Sequence, residues 1–263
     1  MKILAMDSSG LVAGIAVVED DNLIGEYTIN YKKTHSQTLL PMLDEVAKMI
    51  ELDLDSLDAI AVSAGPGSFT GLRIGSATAK GLGLALDKPL IHVPTVDALA
   101  CNLWGCRDLV CPLMDARRNQ AYTGLYRFAA QRAESDGVRH TDRLSDCARM
   151  QSMNQRLEII RPQCAVGIDE IIEDVNRVGQ PVVFLGDGVP VFSLYIEEHC
   201  QVPYSLAPAH MNRQRAGAVA YLGMQYAKEG KLESAAEHRP DYLRVSQAER
   251  ERRQRIGQIH EGD

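Results

Sequence analysis

The stretch that most constrains the fold is SAGPGSFTGLRIG, Ser63 to Gly75. It follows the apolar run Ile60-Ala61-Val62 and leads into a segment of helical character. A glycine-rich link from strand to helix often cradles phosphate, but this one departs from both common templates. Gly65 and Gly71 are followed by Leu72-Arg73 where a P-loop needs lysine and a hydroxyl residue. Gly65-Pro66-Gly67 begins a dinucleotide pattern, and Thr70 then stands where its last glycine belongs. The local expectation is a strand-to-helix turn in which Ser68 or Thr70 caps the orphan amides of the helix. Exposed amides there hold an anion weakly at most.

The helix that follows is more informative. Gly71, Gly75, Ala79 and Gly83 recur every four residues and form one smooth stripe. Each interior glycine costs up to about 1 kcal/mol against alanine, so the stripe needs a packing reason. It lets another backbone approach closely, within this chain or from a second chain. The preceding helix, about Ser36 to Glu51, has Leu39, Leu40, Met42, Leu43, Val46, Ala47, Met49 and Ile50 spread over an arc of roughly 180°. Packing on one sheet needs little more than about 100°. The surplus is either deeper burial or a surface for a partner.

The remaining periodicities give an α/β chain. Ile3–Met6, Val12–Val18 and Leu23 to about Tyr31 read as strands of an antiparallel start, with Ser8-Ser9-Gly10 as a turn. Strand Ala59–Ser63, helix Phe69–Leu86, strand Leu90–Val93 and a short helix Thr95–Leu103 capped by Thr95 complete a first lobe, residues 1–103. A second, smaller lobe spans 104–214. It opens with two strands joined by a turn at Asp115 to Asn119. Residues 129–163, polar and mixed in charge, are expected to be a loosely ordered insertion. Strand Pro181–Leu185, the Gly186-Asp187-Gly188 turn and a helix to about His199 follow. A last amphipathic helix at 215–229 is expected to pack back on the first lobe, and 232–263 reads as a polar tail with a solvated arginine–glutamate run. No repeat of fixed period is visible.

The net charge of −7 argues against a dedicated nucleic-acid binder. No run approaches the roughly 18 apolar residues of a membrane span. The apolar start is too short for a secretory signal, so a cytoplasmic location is expected. Six cysteines without a Cys-x-x-Cys pair read as free thiols. No two of the seven histidines are four apart, so a helical two-histidine metal site is missing, and no serine sits in a nucleophile-elbow context. Asp7 and Asp187, each beside a strand-end turn, are either turn residues or neighbours of a phosphate.

ILAMDSSG, HSQTLLPMLDEV and above all SAGPGSFTGLRIGSATAKGLG resemble the bacterial TsaB (YeaZ) family of tRNA threonylcarbamoyladenosine biosynthesis proteins, as do VPTVDALA, PLMDARRNQAY, FLGDGV and PDYLR. The resemblance spans about 1–127 and 181–245. It implies an ASKHA fold, with two actin-like lobes of mixed sheets flanked by helices. It also implies a non-catalytic subunit that needs no metal or cofactor of its own. Such a subunit pairs with the related TsaD, which performs the transfer to tRNA, and with the ATPase TsaE. It meets tRNA only through the complex. The helices Ser36–Glu51 and Phe69–Leu86 are expected to form one exposed apolar patch, and through it a homodimer when the chain is alone. The interface so expected comprises His35, Leu39, Met42, Leu43, Val46, Met49, Gly71, Leu72, Gly75, Ala79, Leu82 and Gly83. Asp7, Ser8, Ser9, Gly186, Asp187 and Gly188 are the candidates for residual nucleotide contact, with ATP or ADP at the complex interface. The competing readings are an ATP-dependent ASKHA kinase and a glycoprotease-like peptidase. The incomplete phosphate loops weigh against the first, and the missing metal pair against the second.

Overall fold

The structure, a computed structural model, describes residues 1–31, 33–130 and 155–244. The first half runs β1 (Lys2–Asp7), β2 (Ala13–Glu19), β3 (Asn22–Ile29), α1 (Leu39–Met49), β4 (Ala59–Gly65), α2 (Phe69–Leu86), β5 (Leu90–Pro94) and α3 (Thr95–Ala100). The second runs β6 (Leu109–Asp115), β7 (Gln120–Ala130), β8 (Gln155–Gly167), α4 (Ile168–Val178), β9 (Val182–Leu185), α5 (Val189–His199), β10 (Tyr204–Leu206) and α6 (Ala216–Lys228).

The described strands form two five-stranded mixed sheets, ordered β3-β2-β1-β4-β5 and β10-β9-β6-β7-β8. In each, an antiparallel meander of three strands is extended by two parallel ones: β1 pairs antiparallel with β2 and parallel with β4, as β6 does with β7 and β9. The chain is therefore a structural duplication, which is the expected two-lobe ASKHA arrangement. Its halves carry no repeat of fixed period in sequence. Strands covered on both faces read as continuous apolar runs, as β4 (AIAVSAG) does, and every one of its residues is buried.

Helices α1 and α2 cover one face of the first sheet, with Leu39, Met42, Leu43, Val46 and Ala79 packed on Leu4, Met6, Ile15, Ile60 and Val62. Helix α6 covers the other face through Val219, Ala220 and Met224. On the second sheet, α4 and α5 take one face and α3 the other. Each half thus lends its last helix to the other half's neighbourhood: α3 packs on β6 and β7, while α6 packs on β1 and β2. A buried hydrogen bond secures the exchange, from the Tyr126 hydroxyl on β7 to Asp97 Oδ1 on α3, at 2.7 Å. Tyr126→Phe removes the donor to a buried carboxyl. It is expected to cost about 1–3 kcal/mol in urea unfolding; an unchanged midpoint would show that the bond contributes nothing.

Several expectations need correction. The 129–163 segment lies mostly outside the described residues, but its described ends are strand: β7 reaches Ala130, and β8 is a 13-residue edge strand. An edge strand tolerates polar residues on its open side, so its composition resembled a loop. Helix α4 lies outside the sequence expectation, although Ile168, Ile171, Ile172 and Val175 carry the full helical spacing. Thr95 does not cap α3; its Oγ1 accepts from Gly65 N and bonds the Ser63 hydroxyl. Ser68 does cap α2, accepting from Gly71 N at 3.3 Å. The first part of the polar tail, Leu232 to Arg244, docks on the first lobe at a few points. Glu233 pairs with Leu90, and Ala235 and His238 are buried against the first lobe. Its continuation, with the arginine–glutamate run, lies outside the described residues. The described cysteines are free thiols.

Candidate functional site

The parallel strands of both lobes end at one cleft, the place where open α/β sheets bind ligands. A cavity of about 380 Å³ lies there, lined by Ser9, Gly10, Gly67 and Ser68 from the first lobe and by Asp115, Arg117, Tyr122 and Asp187 from the second. The duplication shows in its walls. Met6-Asp7 ends β1 as Met114-Asp115 ends β6, and Gly65-Pro66-Gly67 turns out of the end of β4 as Gly186-Asp187-Gly188 follows β9. Gly65 and Gly186, first in each turn, sit at φ +124° and +113°, where only glycine is unstrained.

The interior of both turns is filled by the chain itself. Asp7 is 1% exposed, and its Oδ1 accepts from Ser9 N (2.8 Å) and the Ser9 hydroxyl (2.7 Å). The Ser8 hydroxyl donates to the Gly71 carbonyl, and Ser68 N donates to the Ser9 carbonyl. A Cβ placed on Gly67, Gly71 or Gly75 would lie closer than 3.0 Å to an atom of Ser8 or Ser9, a separation that Cβ atoms essentially never show. In the second lobe a Cβ on Gly186 or Gly188 would collide likewise with the Leu113 carbonyl, and Asp187 Oδ1 accepts from Asp115 N at 3.1 Å. All six residues named for nucleotide contact thus lie at the two strand-end turns, and Ser9 and Asp187 line the cavity. Their polar groups are spent mainly on holding the turns.

Burial raises the carboxyl pKa of Asp7, against opposing hydrogen bonds from Ser9 and Ser63, and burial raises that of Asp187 as well. The native state therefore holds the Asp7 proton more tightly than the unfolded chain does. That contribution to stability is full below the ordinary carboxylate pKa of about 4 and is lost as pH rises through the higher folded value. Asp7→Asn is expected to gain stability relative to the parent between pH 4 and pH 7, read by urea unfolding at both. A variant less stable at pH 7 would show that the ionised carboxylate holds the turn.

Sequence reasoning missed Asp115 and Arg117 as cleft residues; the repeated Met-Asp at a strand end was the available signal. The turn after Asp115 holds Arg117, Arg118 and Asn119 at φ 64°, 57° and 58°, a left-handed run that costs roughly 1–2 kcal/mol per residue. Asp115 Oδ1 stabilises it by accepting from Arg117 N at 2.7 Å, and Arg244 donates to the Ala116 carbonyl.

The expected interface is redrawn. Gly71, Gly75, Ala79 and Gly83 are buried: the first two face Ser8, and Gly83 faces Ala235 and Leu90. The close approach that the stripe permits is therefore made inside this chain. Leu39, Met42, Leu43, Val46 and Leu72 are core residues as well, and Leu82 packs partly against that core. Half-buried His35 bonds the Gly10 carbonyl through Nε2 at 2.8 Å. Of the residues named, Met49 alone is largely open, at 76% exposure. It is accompanied on the outer sides of α1 and α2 by Leu40 (52%) and Leu84 (64%). Ala77, Gly81 and Ala85 form a second, outward small stripe, and a Cβ on Gly81 would meet nothing within 4 Å. Beside Met49, a groove of about 640 Å³ runs between β3 and α1, lined by Tyr27, Ile29 and Pro41 among others.

Comparison with known proteins places this geometry. A family model described as TsaD, tRNA N6-adenosine threonylcarbamoyltransferase, matches residues 22–252. The chain is 32% identical to the tRNA threonylcarbamoyladenosine biosynthesis protein TsaB of Bacillus subtilis over 251 residues, covering 95% of this chain and 96% of that protein. It is 28% identical to TsaB of Escherichia coli over 160 residues, covering 60% of this chain and 67% of the other. The structure of YeaZ from Pseudomonas aeruginosa superposes with a TM-score of 0.69 at 22% identity, over 92% of this chain and all of that one, which establishes the shared fold.

Proposed function

Because the chain belongs to the TsaB family of tRNA threonylcarbamoyladenosine biosynthesis proteins, we propose that it is a non-catalytic partner subunit in that synthesis, pairing with TsaD and with the ATPase TsaE. The observation that carries the reading is that the two helices covering one face of the first sheet keep large apolar side chains exposed, Leu40 and Met49 on α1 and Leu84 on α2. In this reading they anchor a partner, since exposed apolar area on one face marks association surfaces. The match to the TsaD family model makes that transferase a related chain. A self-complementary patch makes a symmetric homodimer when the chain is alone, and a related chain can take the second copy's place. In this reading the protein is cytoplasmic. Nucleotide belongs to the joint interface of the complex rather than to this chain as a required cofactor, and tRNA is met through TsaD. Among the described residues no helix is long and apolar enough to cross a membrane.

The test is reconstitution with tRNA, ATP, bicarbonate, threonine and the enzyme that makes the adenylate. Modified tRNA should form when this chain and TsaD are both present, and not with this chain alone. Product without TsaD would overturn the proposal. Asp7→Asn should preserve the product, whereas a kinase that holds magnesium nucleotide on Asp7 would lose its activity.

A further inference from the structure

Away from the cleft, the C-terminal segment folds against β5 and brings His92, Glu233 and His238 together. One donor atom from each lies within 4.8 Å of the other two. Their backbones are fixed independently of any ion: Glu233 and Leu90 exchange both backbone hydrogen bonds, and Lys80 Nζ donates to the Ala236 and His238 carbonyls at 2.9 and 3.0 Å. Asp241 is anchored by its amide to the Ala64 carbonyl at 2.7 Å.

Three features of the cluster point to a ligand. His238 is 1% exposed; its Nδ1 bonds Glu233 Oε1 at 2.5 Å, and its Nε2 has no hydrogen-bond partner, a costly state for a buried polar atom. His92 Nε2 lies 2.9 Å from Asp241 Oδ2. A proton on Nε2 satisfies that bond and leaves the Nδ1 lone pair facing Glu233 Oε1 at 3.9 Å. This is the carboxylate–histidine arrangement that orients metal ligands. His92 and Glu233 also line a cavity of about 330 Å³, which supplies an entry path and room for a bound water.

We propose that His92, Glu233 and His238 form a binding site for a zinc-class divalent cation, oriented by Asp241, that fastens the C-terminal segment to β5. Two imidazoles and one carboxylate suit a borderline first-row ion and leave a fourth position for water, whereas magnesium and calcium prefer all-oxygen sets. Tetrahedral bonds of about 2.0 Å hold donors roughly 3.3 Å apart, so small side-chain rotations close the site. Beyond it, Tyr242 packs on Phe69 and Arg244 reaches the second lobe at the Ala116 carbonyl, so the ion stiffens a strap that reaches the rim of the cleft.

The untagged full chain, stripped with chelator, is titrated with Zn²⁺ by calorimetry and with Co²⁺ by absorption. Expected are saturable binding of one ion per chain, a Co²⁺ spectrum without thiolate charge-transfer bands, and a melting point raised by Zn²⁺. His92→Gln, at a partly exposed position, should lose the binding and the melting shift while keeping the metal-free melt. Asp241→Asn should weaken binding about 10- to 100-fold. No saturable binding at micromolar Zn²⁺, equal binding by His92→Gln, or thiolate bands from the free cysteines would overturn the proposal.

Discussion

Gly75→Leu is expected to unfold this protein at a markedly lower temperature, before any partner is involved. The Cβ of any residue at 75 falls on the Ser8 hydroxyl, which is buried and held by its bond to the Gly71 carbonyl. Ser8 cannot swing away without leaving its buried hydroxyl unpaired, and the next turn of the helix is equally tight, because Gly71 faces the Ser8 carbonyl. The cost should reach the upper end of overpacking, about 3 kcal/mol, or roughly 6–12 °C in a chain of this size. Gly81→Leu is the companion. It lies on the opposite side of the same helix with open space before it, so helix propensity alone should leave its melt unchanged or slightly raised. Equal melts for the two variants would contradict the placement of the inner stripe.

That pair also shows how far the sequence could be read. The four-residue spacing of Gly71, Gly75, Ala79 and Gly83 established that a backbone comes close, and spacing carries no information on whose backbone it is. The answer depends on the Asp7-Ser8-Ser9 turn, more than sixty residues earlier in the chain. The hairpin start, α2 and the strand-end glycine turns were legible because their signals are local: short apolar runs divided by turn residues, a serine cap, and glycine where φ is positive. Strand β8 was not, because an edge strand lacks the apolar continuity of β1 or β4. Helix α4 had its signal in Ile168, Ile171, Ile172 and Val175, but it follows a polar stretch that reads as loop. The duplication is a property of strand order, and Met6-Asp7 against Met114-Asp115 is nearly all that remains of it at residue level. In the cleft, Asp7 and Asp187 were identifiable as strand-end acids. Their engagement by Ser9 and by the Asp115 amide required coordinates.

The second large effect concerns the outer helix face. Met49→Glu combined with Leu84→Glu is expected to abolish threonylcarbamoyladenosine formation by the reconstituted complex while leaving the isolated chain folded. Both side chains are mostly solvent-exposed, so a carboxylate at either place remains hydrated in the free protein. At a contact, two unpaired carboxylates must be stripped of water where apolar anchors stood. Such a loss amounts to at least about 3 kcal/mol together, more than about 100-fold in affinity. Because no core residue is touched, the melt should stay within a degree or two of the parent, unlike that of Gly75→Leu.

The measurement that bears most directly on the pairing account is the affinity of TsaD for this chain and for the Met49→Glu/Leu84→Glu variant, determined by isothermal titration calorimetry alongside the thermal melts of both. The account predicts saturable association of the parent with TsaD, weakened more than about 100-fold in the variant at an unchanged melt. Equal affinity of the two forms for TsaD, with both folded, would contradict it.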